Sequence, residues 1–154
     1  MAICDHKSVG MLIWDGDKLL LIERRKPPYG FAPPAGHIDD HGSFEDAARK
    51  EVEEEVGLNA KKITLLAEGR KENPCRREDG TWHYWKIFEV KTEGKVTASP
   101  SETKQYGWYT KEQIRKLAER TENYILGKIS ETEWQSSPGI EPVWKEWLSE
   151  LKIL

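Results

Sequence analysis

Residues 36–58, GHIDDHGSFEDAARKEVEEEVGL, constrain this chain more than any other stretch. They read as a loop, a helix and a glycine stop. Ser43 with Asp46 three residues on makes a variant capping box, in which the hydroxyl accepts from a helix N–H and the carboxylate reaches back. Gly57 stands where a left-handed C-cap residue belongs. The helix between them ends in an unfavourable run of charge. Glu51 and Glu54 are spaced i,i+3, and Glu51 and Glu55 i,i+4; like charges so placed cost about 0.2–0.5 kcal/mol per pair. The helix dipole disfavours anions at this end by a further ~0.3–1 kcal/mol each. At about 100° per residue, the three carboxylates share an arc of about 100°, whereas Glu53 points the opposite way, beside Arg49. In a chain that is 33% charged, such a helix is usually a solvated face. Alternatively, a bound divalent cation relieves the repulsion. An all-oxygen ligand set suits a hard ion, Mg2+ or Mn2+.

The chain before this helix is rich in strand signals. Residues 8–14 read as a mostly buried strand, Asp15-Gly16 as a hairpin turn and residues 18–24 as the returning strand, which together predict an antiparallel hairpin. Arg24, Arg25 and Lys26 follow at the strand end. They could hold phosphates, Arg bidentately, or simply blunt a sheet edge. Prolines then stiffen the approach to the acidic helix at residues 27–36.

After the helix, residues 62–68 read as a strand and residues 72–80 as an exposed polar loop. Residues 81–90 carry aromatic bulk on both strand faces, which predicts a central strand with cover on each side. A short strand at 94–97, Glu102 in a polar loop and a last strand at 107–110 follow. A helix starts at Lys111 with Ile114, Leu117 and Ala118 on one side; residues 121–129 give no clear signal, and 136–139 are a loop. Glu141-Pro142 opens a final helix at about 141–151, with Pro near its first position and an apolar stripe of Val143, Trp144, Trp147, Leu148 and Leu151. That stripe packs on the sheet or serves as a dimer surface. With no internal repeat and no linker, the order of elements predicts an α/β fold in one domain, residues 1–154, with helices on a mixed sheet.

Composition narrows the function classes. With 24 basic and 27 acidic residues, the net charge of −3 argues against a nucleic-acid binder. No apolar run approaches the ~18 residues of a membrane span, and residues 1–6 lack the features of a signal peptide. A cytoplasmic location is the default expectation. Cys4 and Cys75 are too few for a disulfide framework. Cys4, His6, Cys75 and His83 have the residue types of a zinc site, but their spacings match no common framework.

The stretch at 36–58 resembles the signature of the Nudix hydrolases, G-x5-E-x7-R-E-U-x-E-E-x-G-U with U aliphatic. Gly36, Glu51, Val52, Glu54, Glu55, Gly57 and Leu58 fall on pattern positions without gaps. Two positions depart: Gly42 replaces the first Glu, and Lys50 replaces the Arg. A lysine lacks the bidentate guanidinium. Losing both partners together strands no charge, and Asp39 or Asp40 could pair with Lys50 instead.

The resemblance implies an α/β/α sandwich with a mixed central sheet. It implies a metal-dependent pyrophosphohydrolase that cleaves a phosphoanhydride in a nucleoside diphosphate-linked or nucleoside polyphosphate substrate. By that resemblance Glu51, Glu54 and Glu55 are metal ligands and catalytic groups, the Ala35 carbonyl is a further ligand, and the ion is Mg2+ or Mn2+. Glu102 is a candidate general base from a later loop. Arg24 or Arg25 would hold a terminal phosphate. Tyr29, Phe31, Trp82 and Trp85 are candidates to contact base or sugar, although aromatics at strand spacing are more often core. His37 and His41 flank the loop and could contact phosphate or be structural. The expected partner is a nucleotide-type small molecule, with no membrane and no nucleic acid, and the protein a monomer or homodimer. The alternative is a Nudix-like module that binds a nucleotide and cleaves it weakly or not at all.

Overall fold

Val9, Met11, Leu12 and Ile13 are all buried, which a strand can manage only if both its faces are covered. In the computed structural model, which describes residues 2–154, both are. The elements run β1 (Lys7–Leu12), β2 (Trp14–Asp15), β3 (Lys18–Arg24), β4 (Phe31–Ala32), β5 (Ala35–His37), α1 (Phe44–Val56), β6 (Asn59–Lys71), β7 (His83–Glu93), β8 (Thr103–Tyr109), α2 (Lys111–Ile125), α3 (Glu131–Ser136) and α4 (Pro142–Glu150). One sheet has the order β5-β1-β7-β6, and a second joins β2, β3 and β4 with β8 on the other edge of β3. β1 and β7 are parallel; the other pairs are antiparallel.

Two cores flank these sheets. Val9, Met11, Leu20, Ile22, Phe88 and Val90 meet Ala47, Ala48, Val52 and Val56 of α1. Leu12, Leu19, Leu21, Trp85 and Ile87 meet Ile114 and Ala118 of α2 and Val143, Trp144, Trp147 and Leu148 of α4. Alternate side chains therefore serve opposite cores, and the chain is an α/β/α sandwich with a mixed sheet. Among the described residues no helix is long and apolar enough to cross a membrane.

The helix signals read from the sequence are present. The Ser43 hydroxyl accepts from the Asp46 N–H at 3.0 Å and the Asp46 carboxylate from the Ser43 N–H at 3.4 Å. Gly57 takes φ 67° and donates to the Glu53 carbonyl. The aromatic strand is central, as β7 between β1 and β6.

Two expectations need correction. The antiparallel hairpin of residues 8–14 with 18–24 shrinks to Trp14–Asp15 against Lys18–Leu19. β1 itself pairs β5 and β7 in the other sheet, because a strand buried on both faces is placed by long-range partners rather than by the nearest turn. Residues 94–97 are not a strand. Instead Thr97 N–H donates to the Val56 carbonyl at 2.8 Å and Ser99 N–H to that of Glu55 at 3.0 Å. The segment satisfies carbonyls that the end of α1 leaves without partners, and so delivers Ser99 and Glu102 to the cleft beside α1.

The α4 stripe is core. Trp147 is 2% exposed, and the Lys71 ammonium lies 4.5 Å over its ring. Trp147→Ala is expected to destabilise the fold by about 3–5 kcal/mol in urea unfolding. A loss below about 1 kcal/mol would show that the stripe does not hold the sandwich together.

Candidate active site

The last turns of α1 cross the short strand β5, and the contact is close. A Cβ on Gly36 would overlap the Glu51 carboxyl, so glycine here leaves that carboxyl room to lie against the strand. One turn on, the Ala35 backbone N–H draws the Glu55 carboxyl toward its ionised form. Glu51, Glu54, Glu55, Ala35 and Gly36 line a cleft of about 440 Å3, together with Arg24, Glu102, Glu141 and the loop residues Asn73, Arg76 and Arg77. Glu53 is absent from its lining, as the helical arc requires.

The electrostatics of this cleft are unusual. Burial, reinforced by Glu54, pushes the Glu51 carboxyl up to about 7. Burial and the nearby Glu51 push Glu55 up to about 8, against the pull of Arg24 and of the Ala35 N–H. Glu141, at the N-terminal end of α4 and 6% exposed, is also raised by burial, with Arg24 opposing. Arg24 thus faces both Glu55 and Glu141, and its buried Nε has no hydrogen-bond partner. Oxygen donors packed together, too crowded to ionise together, suit a hard divalent cation. Glu51, Glu54 and Glu55, with the Ala35 carbonyl, are the residues that could hold one. His41 Nε2 stands 3.8 Å from Glu51 Oε1.

The other expected site residues divide. Glu102 is exposed at the cleft and pairs with Lys26 at 3.3 Å. Trp85 is 4% exposed and forms part of the cleft floor, its Nε1 donating to Asn73 Oδ1 at 3.0 Å. Arg25 turns away and donates to the carbonyls of Pro100 at 3.0 Å and Thr103 at 3.3 Å, bracing the loop that carries Glu102. Phe31 is buried in the core edge-on to Tyr109, and Tyr29 lies beside Lys104, away from the cleft. Trp82 stacks on His6 and Arg70.

At the departures, Gly42 has φ 95°, a conformation that a glutamate would adopt only with strain. Lys50 is exposed. Its suggested partner Asp39 instead accepts both terminal nitrogens of Arg77. Sequence reasoning missed Arg77, Arg76, Asn73 and Glu141. The loop of residues 72–80 reads as exposed because it is polar, yet its residues 73–77 line the cleft; only its run of two arginines hinted at a role.

The raised carboxyls set a sign. A carboxyl whose folded pKa exceeds its ordinary value binds protons more tightly when folded, so stability falls as pH rises between about 4.5 and 8. Without Mg2+ or Mn2+, Glu55→Gln should match the wild type in chemical denaturation at pH 5. It should become the more stable form by about 1 kcal/mol or more at pH 8.5. A pH-independent difference would mean that Glu55 is not held in this environment.

Comparisons with known proteins place the fold in a family. The family model for the NUDIX domain matches residues 5–127. A mouse protein, bis(5'-nucleosyl)-tetraphosphatase [asymmetrical], is 28% identical over 104 residues, covering 66% of this chain and 70% of its own length. A NUDIX-family hydrolase from Clostridium perfringens superposes with a TM-score of 0.62 at 19% identity, covering 95% of each chain. A C. elegans Ap4A hydrolase, solved as a binary complex, gives 0.54 at 22%, covering 78% of this chain and 92% of its own. The capped acidic helix over a glycine strand, the sandwich around it and the span of the family match give one conclusion: the chain belongs to the NUDIX family, as a Nudix-type pyrophosphohydrolase.

Proposed function

We propose that the protein is a metal-dependent hydrolase that cleaves a phosphoanhydride bond in a nucleoside polyphosphate, a dinucleoside polyphosphate above all. One observation carries the reading: Glu51 and Glu55 lie half-buried, a turn apart on α1, in a cleft whose other walls bring Arg24, Arg76 and Arg77. Carboxylates for a cation beside guanidiniums for phosphate make a seat for a polyphosphate–metal pair. The matched relatives named as a tetraphosphatase and an Ap4A hydrolase favour the dinucleoside class.

Nudix hydrolases generally use a divalent metal, and Mg2+ or Mn2+ held by Glu51, Glu54, Glu55 and the Ala35 carbonyl would polarise phosphate oxygens and acidify a water. The chain's own groups do the rest. Arg24, whose side chain lines the cleft, would hold phosphate oxygens in line for attack. Glu102, exposed at the rim beside Lys26, would take the proton from the attacking water as the P–O anhydride bond breaks and the leaving phosphate carries off the charge. Trp85, as floor, would limit the depth of entry. The same reading takes residues 1–154 as one working unit, since α4 supplies Glu141 and Trp144 to the cleft.

Gly42 and the exposed Lys50 keep the rival in play, a module that binds nucleotide without cleaving it. Incubation with a mixed panel of nucleoside triphosphates, dinucleoside polyphosphates and nucleotide sugars, with product identification, separates the two. Turnover is expected with Mg2+ or Mn2+ and none after their removal. Glu55→Gln should lower kcat at least about a hundredfold, the scale of losing a key electrostatic group. Tight nucleotide binding without products under every ion and pH would leave the rival standing.

Arg24→Ala should raise KM about tenfold or more, the equivalent of one charge-assisted contact to phosphate. An unchanged KM would remove Arg24 from the phosphate seat.

A further inference from the structure

On the wall of the cleft away from α1, four side chains from separate parts of the chain meet: Cys4 ahead of β1, His37 at the end of β5, Cys75 in the 72–82 loop and His83 at the start of β7. Cys4 Sγ lies 3.3 Å from His83 Nε2, 3.6 Å from His37 Nε2 and 3.8 Å from Cys75 Sγ. All four potential ligand atoms fall within 4.8 Å of one another. As ordinary hydrogen bonding this is overcrowded, because one thiol has a single weak proton to share among three neighbours. As the corners of a tetrahedron it is well spaced. Bonds of about 2.3 Å to sulfur and 2.0–2.1 Å to nitrogen put ligand atoms roughly 3.4–3.8 Å apart.

We propose that Cys4, His37, Cys75 and His83 hold one structural Zn2+ ion, distinct from the carboxylate cluster. Softer N and S donors select zinc over the hard ions suited to Glu51, Glu54 and Glu55. The surroundings are built for ligation. His83 Nδ1 is 2.9 Å from the Asn73 carbonyl, which can only accept. The proton therefore sits on Nδ1, and the Nε2 lone pair faces Cys4. Each sulfur accepts a backbone N–H from two residues on, His6 to Cys4 at 3.3 Å and Arg77 to Cys75 at 3.4 Å, contacts that orient each sulfur from outside the proposed ion. The loop closes under Cys75, whose N–H donates to the Gly80 carbonyl at 2.7 Å, and a Cβ on Gly80 would overlap the Cys75 sulfur.

The ligand set corrects the one suggested by residue types alone. His6 is taken up elsewhere: its Nδ1 lies 2.9 Å from the Trp82 carbonyl oxygen and its ring stacks on Trp82. His37 replaces it, and no spacing rule could have brought in a histidine from the start of the Nudix signature.

Four protein ligands leave no open position, so the ion is structural. Two thiols lose their protons on binding, and two thiolates neutralise Zn2+ in the buried site. The ion would clasp the 72–82 loop to the N-terminal segment, where Cys4 N–H already donates to the Glu78 carbonyl at 2.8 Å. It would thereby fix Arg77 on the cleft wall. Nothing in the proposal depends on the phosphoanhydride reading.

The test is elemental analysis of protein purified without metal-affinity chromatography and without added zinc. About one zinc per chain is expected in the wild type and in a Glu51→Gln/Glu55→Gln variant, and near none in Cys75→Ser or His83→Ala. Should those variants fail to fold, cobalt exchange of the wild type decides. Tetrahedral Co2+ with thiolate ligands gives intense d–d bands and a sulfur-to-cobalt charge-transfer band. Weak octahedral bands, zinc below about a tenth per chain, a Cys4–Cys75 disulfide in fresh protein, or zinc lost with the carboxylates and kept in Cys75→Ser would each overturn the site.

Discussion

The close packing of α1 on β5 is the contact on which the rest depends. Gly36 lets the Glu51 carboxyl lie directly on the strand backbone, and the Ala35 N–H favours the ionised form of Glu55. This holds two carboxylates in a place where neither ionises easily. Hydrophobic burial supplies the force: Ala47, Ala48, Val52 and Val56 press the other face of α1 into a core that β1, β3 and β7 share. The repulsion among the glutamates is tolerated because that apolar face is well packed. A helix free in solution with the same sequence would have no such compensation.

The second half of the sandwich serves the same cleft from the opposite side. α4 buries Trp144 and Trp147 against the sheets and ends, at its N-terminal side, in Glu141 facing Arg24. Arg24 therefore sits between carboxyls from two different helices. The cleft also has two walls of different chemistry. One carries oxygen donors on a helix; the other carries sulfur and imidazole donors on a loop, a strand end and the N-terminal segment. Their hardness differs enough that each would select its own ion.

The sequence made the acidic helix legible because capping, periodicity and charge all act over a few residues. Ser43, Asp46 and Gly57 mark its ends by local hydrogen bonding, and the arc shared by Glu51, Glu54 and Glu55 follows from helical spacing alone. What depended on distant partners was not legible. β1 goes to β5 and β7, and the 94–97 segment caps α1 rather than forming a strand. Phe31 and Arg25 look like site residues by type, yet Phe31 meets Tyr109 in the core and Arg25 bonds loop carbonyls. The 72–82 loop, with Arg77 on Asp39 and Cys75 beside Cys4, gave no local signal beyond two adjacent arginines. Its polarity is that of an exposed loop, and only the fold brings it over the cleft.

The central claim is that the Glu51–Glu55 stack is a cation seat kept partly protonated until an ion arrives. Calorimetric titration of Mn2+ in buffers of different ionisation enthalpy measures the protons released on binding. Binding with net proton release at pH 6.5, vanishing near pH 9.5 and lost in Glu51→Gln/Glu55→Gln, is the expected result. Binding with no proton release at pH 6.5, or binding undiminished in the double variant, would contradict the account.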